Sequence, residues 1–258
     1  MWGAGHVTAG GKRLEYRCWG DAPEDGRCVV LLHEGLGCVA LWKGFPAALH
    51  EALGLPVIAY SRAGYGGSEA DDLPRPLDWM TREAEVLPEV LEALGIGAPV
   101  LIGHSDGATI AAIAAGQPLL RQGVLAVVLI APHFFTEDMG LTQIAKANAG
   151  FEASGLRERM ANYHQDADAT FRGWADAWLS DGFRDWNVEA ALDGICAPVL
   201  VIQGREDQYG TLAQVEAVTA RCRTAQAPIV DDCKHVPHLE QPDLVLAEVV
   251  KFVHYNAN

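Results

Sequence analysis

The stretch LIGHSDGAT, Leu101–Thr109, decides the fold. Upstream, Pro99 to Ile102 is a short apolar run fit for a strand buried on both faces, and downstream Ala108 to Ala115 is rich in strong helix formers. Ser105 therefore sits where a strand turns sharply into a helix. Such a turn crowds the side chains flanking its apex, and Gly103 and Gly107 relieve that crowding. It also lifts the serine hydroxyl above the sheet and aims backbone N–H groups at whatever the serine attacks, the geometry of a nucleophile elbow, G-x-S-x-G. A glycine-rich turn with an incidental serine matches the same five residues, so the rest of the chain has to discriminate.

Outward from the elbow, buried apolar runs alternate with helical stretches. Cys28 to His33, Leu55 to Ser61, Ala98 to His104, Val124 to Pro132 and Ala197 to Gly204 read as strands, while Thr81 to Gly95 and Thr211 to Cys222 carry amphipathic helical spacing. This alternation predicts an α/β fold, a mainly parallel sheet covered on both faces. The opening stretch His6 to Gly20 reads as an antiparallel edge hairpin turned by Gly10 and Gly11. From His133 to Ile195 no convincing strand exists. Two helical patches there, Gly140 to Gly155 and Ala169 to Gly182, accompany Trp174, Trp178 and Trp186. The segment follows a strand's carboxyl end, where open α/β sheets bind ligands, so it is expected to be a helical cap over the site rather than a pair of peripheral helices. The expected division is a core of residues 1–132 and 196–258 with a cap of residues 133–195. His133, Phe134, Trp178 and Trp186 are its candidate substrate contacts.

With 258 residues, half of them hydrophobic, the chain can bury a large core. No run of about 18 apolar residues predicts a membrane span, and the opening residues contain no apolar signal-peptide core, which places the protein in the cytoplasm by expectation. A net charge of −15 argues against nucleic acid and anionic membrane surfaces as partners. Six scattered cysteines without a CxxC pair read as thiols, several of them buried.

A serine hydroxyl needs a base, and the base needs a group to orient it. In an elbow context the chain order is serine, acid, histidine. Asp207 follows the strand ending at Gly204, with Glu206 as the weaker neighbour. His235 and His238 both lie in a loop before a helix beginning near Pro242; His235 is favoured because it comes first after the strand, leaving His238 as a pocket or helix-entry residue. The HxxH pair has no third ligand at a supporting spacing, so no metal is expected. An oxyanion needs two backbone donors. The N–H of Asp106 is one, and the loop LLHEGLG supplies the other, from Gly35 with Leu36 as the alternative.

Over nearly its whole length the chain resembles the α/β-hydrolase superfamily. HEGLG is similar to the oxyanion loop, YSRAGYGGS to the loop after the next strand, GHSDG to the elbow, GREDQYG to the acid turn and KHVPHLEQP to the histidine turn. The resemblance implies an α/β-hydrolase fold without a cofactor, and its histidine turn independently favours His235. The G-x-S-D-G form is similar to valacyclovir-hydrolase-like esterases. In two places the chain departs from the pattern. Glu34 stands where glycine is usual, beside the oxyanion loop, and Ser61 where aspartate is usual. Asp106 has two readings: a favourable charge at a helix N-terminus, or, alone or together with Glu34, a carboxylate that binds a substrate cation and would otherwise repel the oxyanion.

The expectation is a serine hydrolase acting on a small carboxylic ester, monomeric or homodimeric. Thioester, lactone or C–C bond hydrolysis on the same triad are alternatives, as are a cofactor-independent lyase or oxygenase and a small-molecule receptor.

Overall fold

Alternating residues of each apolar run face opposite sides of one sheet. The computed structural model describes residues 2–257 and contains strands β1 (Ala4–Ala9), β2 (Lys12–Trp19), β3 (Arg27–Leu32), β4 (Val57–Tyr60), β5 (Ala98–His104), β6 (Ala126–Ile130), β7 (Val199–Gly204) and β8 (Ile229–Val230). The sheet order is β1-β2-β4-β3-β5-β6-β7-β8. Strand β2 runs antiparallel to both β1 and β4, and the remaining pairs are parallel. The opening hairpin is at the edge, as its sequence indicates, with Gly10 and Gly11 at φ of 57° and 71°, a region glycine enters without steric cost.

Helices α1 (Phe45–Leu53), α2 (Trp79–Ala93) and α3 (Asp106–Gly116) follow β3, β4 and β5. Helices α4 (Asp138–Gly150), α5 (Leu156–Ala161) and α6 (Ala167–Trp178) lie between β6 and β7; α7 (Ala213–Arg221), α8 (Pro237–Glu240) and α9 (Pro242–Asn256) complete the chain. Val29, Leu31, Val100, Ile102, Val128 and Ile130 pack with residues of α1 and α9 on one face. Val30, Leu32, Leu101, Val127, Leu129 and Val201 pack with α2, α3 and α7 on the other. This period-two partition covers a parallel sheet on both sides. It also explains why α3 is apolar nearly all round, since Ala108 to Ala115 are all buried.

All six cysteines are free, and Cys196 is the exposed one. Among the described residues no helix is long and apolar enough to cross a membrane.

Candidate active site

Strand β5 ends at His104, and α3 begins at Asp106. Ser105 is the whole connection, at φ 52° and ψ −121°, a strained conformation that a non-glycine residue holds only where its surroundings fix it. A Cβ on Gly103 would lie 2.2 Å from the Gly107 carbonyl oxygen, and one on Gly107 would lie 2.0 Å from that of Leu32. Both are far inside contact distance, so the two glycines are demanded by the close approach of strand and helix.

Ser105 Oγ lies 3.0 Å from His235 Nε2, and His235 Nδ1 lies 2.8 Å from Asp207 Oδ2. With Nδ1–H donating to the carboxylate, Nε2 is left as the acceptor for the serine hydroxyl. Asp207 also accepts from Gln203 Nε2 at 2.8 Å and from the Tyr209 N–H at 2.8 Å. Burial pushes its carboxyl up, but the hydrogen bond and charge of His235 and the Tyr209 N–H outweigh burial and hold it below the usual value. Gln203, an amide at the end of an apolar strand, is the sequence signal for this support; its Nε2 donates to both Asp207 and the Gly210 carbonyl.

The loop after β3 is shaped by a second buried group that the sequence reading missed. Arg62 donates from Nη1 to the His33 carbonyl at 2.5 Å and from Nη2 to the Glu34 carbonyl at 3.0 Å. The His33 ring accepts from the Arg62 N–H and donates to the Glu34 carbonyl at 2.7 Å. In a trans peptide the N–H points opposite its C=O. With the Glu34 carbonyl held toward Arg62 and His33, the Gly35 N–H is turned the other way.

A cleft of about 110 Å³ opens above Ser105. Glu34, Gly35, Leu36, Asp106, His133 and Trp178 line it, together with Trp174, Tyr209, Leu141 and Ile144, which sequence reasoning did not single out. Three expected pocket residues lie elsewhere. Phe134 is fully buried in the core, because Gln214 Oε1 takes its N–H and the Val188 N–H takes its carbonyl, leaving the cleft position to His133. Trp186 sits behind Trp178, with ring centroids 5.6 Å apart, stacked on Phe183. His238 packs against Trp42, Phe45 and His104 under the elbow.

The cleft carries three carboxylates in different circumstances. Glu137 is engaged by the Thr211 N–H and hydroxyl and by Gln214 Nε2. Glu34 Oε2 lies 3.6 Å from His104 Nδ1. Asp106 is 1 % exposed, and the one hydrogen bond to its side chain is a long one of 3.5 Å from Trp178 Nε1. Among the described residues it makes no hydrogen bond to the helix backbone, and it stands in the first turn of α3, where the helix N-terminus favours its charge. Burial raises its pKa, against the pull of Arg62 and the Trp178 bond.

Burial also depresses the buried histidines. His133 and His238 are each lowered to about 3, and His33 lies well below its ordinary value. Unfolding releases these rings to take up protons near their ordinary pKa of about 6.5. Between that pH and their depressed values the unfolded state binds more protons, so stability is present above about pH 6.5 and falls as the pH drops. The slope is up to about 1.4 kcal/mol per pH unit for each histidine. Urea unfolding from neutral to about pH 5 should show it, and His238→Phe should make it shallower by one proton. An unchanged slope in that variant would mean His238 is protonated in the folded protein.

A mainly parallel sheet in this order, with a serine at the strand–helix elbow after β5, defines the α/β-hydrolase fold. The alpha/beta hydrolase family matches over residues 29–248, and the chain belongs to that family and is an enzyme of the hydrolase class. It is 23 % identical over 299 aligned positions to a proline iminopeptidase of Heyndrickxia coagulans, covering 98 % of this chain and 99 % of that one. The fold is similar to the enol-lactonase of Burkholderia xenovorans, with a TM-score of 0.74, 22 % identity and coverage of 97 % and 100 %. It is also similar to the 2-hydroxy-6-oxo-6-phenylhexa-2,4-dienoate hydrolase of a Rhodococcus strain, with a TM-score of 0.79, 17 % identity and coverage of 97 % and 98 %.

Proposed function

We propose that this hydrolase cleaves a small carboxylic ester, or a closely related acyl compound, through an acyl-enzyme on Ser105. The supporting observation is the continuous chain Ser105 Oγ–His235–Asp207, 3.0 and 2.8 Å long, opening into a cleft. Ser105 Oγ attacks the acyl carbon as its proton passes to His235 Nε2; Asp207 stabilises the imidazolium, and collapse of the tetrahedral adduct expels the alcohol, which takes that proton. Water then repeats the sequence and releases the acid. The N–H of Asp106, in the first turn of α3, has no intrahelical partner. Together with the Gly35 N–H it is the proposed pair of donors to the oxyanion. Labelling by a fluorophosphonate, competed by substrate and followed by a panel of esters, thioesters, lactones and amides, tests this reading. A protein that neither labels nor turns over any of them is no serine hydrolase.

The segment of residues 133–195 acts in this reading as a lid, since α4 and α6 bring Leu141, Ile144, Trp174 and Trp178 over Ser105. Trp178→Phe is expected to change relative kcat/KM across acyl donors, whereas Phe134→Leu is expected to lower stability by about 1–3 kcal/mol with those ratios kept. Equal ratios in Trp178→Phe and wild type would remove the lid from substrate selection.

Asp106 carries the substrate reading further. When ionised, against the pull of its burial, a carboxylate left with one long hydrogen bond beside a developing oxyanion opposes catalysis unless a cation joins it. Trp174 and Trp178 line the cleft around it. An acyl group bearing an ammonium fits, and a proline iminopeptidase is among the relatives. Asp106→Asn should improve kcat/KM for a propionyl ester and weaken the matching alanyl ester by about 1.5–3 kcal/mol. Identical alanyl-to-propionyl ratios in the two proteins would sink cation binding.

A further inference from the structure

Glu34 has a partner that acyl transfer does not use. His104, the residue before Ser105, is buried, and its Nε2 lies 2.8 Å from the His235 carbonyl oxygen. A carbonyl only accepts, so Nε2 carries a proton. The other nitrogen, Nδ1, is buried without a hydrogen-bond partner and faces Glu34 Oε2 at 3.6 Å. In a neutral ring this would set a lone pair against a carboxylate, two acceptors facing each other, with Nδ1 buried and Glu34 partly exposed at the edge of the cleft. One further proton turns that repulsion into a charge-assisted contact. Gly37 leaves the room for it, since a Cβ there would lie 2.3 Å from Glu34 Oε2.

We propose that Glu34 holds His104 as an imidazolium, and that this ion pair is a positioning element tying the oxyanion loop to the loop that carries His235. One end of the pair belongs to the loop after β3, and the other grips the His235 main chain from the end of β5. Three other ionisable rings lie near His104. Those of His235 and His238 are 5.3 and 4.8 Å away, and that of His133, reached across His235, is neutral by burial as His238 is. Near Glu34 stand His33 and Arg62, the latter engaged with the His33 and Glu34 carbonyls. Glu34 is therefore the anion matched to His104. A fixed positive charge beside the His235 ring favours its neutral, proton-accepting form, and the carboxylate keeps the pair neutral as a whole.

The protonation state is read directly by nitrogen-15 NMR of the histidine rings at about pH 8, where an ordinary imidazole is neutral. Both His104 nitrogens should be protonated in the wild type, and Glu34→Gln should return the ring to the neutral Nε2–H tautomer. A wild-type His104 singly protonated at that pH overturns the ion pair. This arm is independent of the chemistry at Ser105. The positioning role rests on the serine-hydrolase reading and is tested by the pH profile of kcat/KM. His104→Gln keeps a donor for the His235 carbonyl but strands the Glu34 charge, so the acid limb should move up by about 0.5 pH unit or more. The double variant Glu34→Gln/His104→Gln should bring it back. Coincident limbs in the single and double variants overturn the positioning role. If His104→Gln does not fold, the comparison of wild type with Glu34→Gln decides alone, through ring protonation and through kcat falling while KM holds.

Discussion

Ser105→Ala is expected to abolish acyl transfer in a protein that still folds. Losing the attacking oxygen removes the covalent route altogether, and for a nucleophile embedded in a hydrogen-bonded set the loss runs to several orders of magnitude in kcat. Stability should change little, because the hydroxyl's one partner is His235 and the strained turn is fixed by Gly103 and Gly107 and by the Ser105 N–H bonded to the Ile130 carbonyl. His235→Ala should be nearly as damaging. His238→Ala should be much milder in kcat/KM, since its ring lies under the elbow against Trp42 and Phe45. Turnover of a p-nitrophenyl ester by each purified variant makes the comparison, beside far-ultraviolet circular dichroism. Near wild-type turnover by Ser105→Ala ends the serine-hydrolase reading, and a His238 variant worse than its His235 counterpart identifies the wrong base.

Asp207→Asn is expected to cost about 10⁴ in kcat with little change in KM. The asparagine amide can still fill the site with its oxygen in the Oδ1 place, accepting from the Tyr209 N–H, and its nitrogen in the Oδ2 place that Gln203 Nε2 and His235 Nδ1 share. Its NH₂ would then face His235 Nδ1 and force the ring proton onto Nε2, where a donor confronts Ser105 Oγ instead of an acceptor. The defect is one of tautomer rather than of folding. A drop in kcat in a variant that still unfolds cooperatively in urea is the expected pattern; activity within about tenfold of wild type would show that Asp207 does not set the tautomer.

The strand–helix alternation, the elbow and the edge hairpin are legible in the chain because each rests on local rules. Period-two burial, helix propensity and the steric demands of a turn act between neighbours in sequence, and Gly103, Ser105 and Gly107 carry them within five residues. Chain order and loop position likewise singled out Asp207 and His235, which the fold sets 2.8 Å apart from 28 positions away.

Which side chains face the cleft is decided otherwise. Phe134 and His133 are adjacent and both apolar enough to line a pocket, yet a hydrogen bond from the Phe134 N–H to Gln214, 80 positions away, sends one into the core and leaves the other at the site. Trp174, Trp178 and Trp186 look alike as sequence; the packing of α6 presents the first two and layers the third behind. The same holds for charge. Glu34, Asp106 and Glu137 are indistinguishable as carboxylates in the chain, and they differ only in what distant segments bring against them: His104 for Glu34, Thr211 and Gln214 for Glu137, and one distant indole for Asp106. Local sequence determines where backbone turns and which faces are apolar, because those energies are short-ranged. Hydrogen-bond partnership and desolvation at the site are sums over the assembled molecule, and only the tertiary structure fixes them.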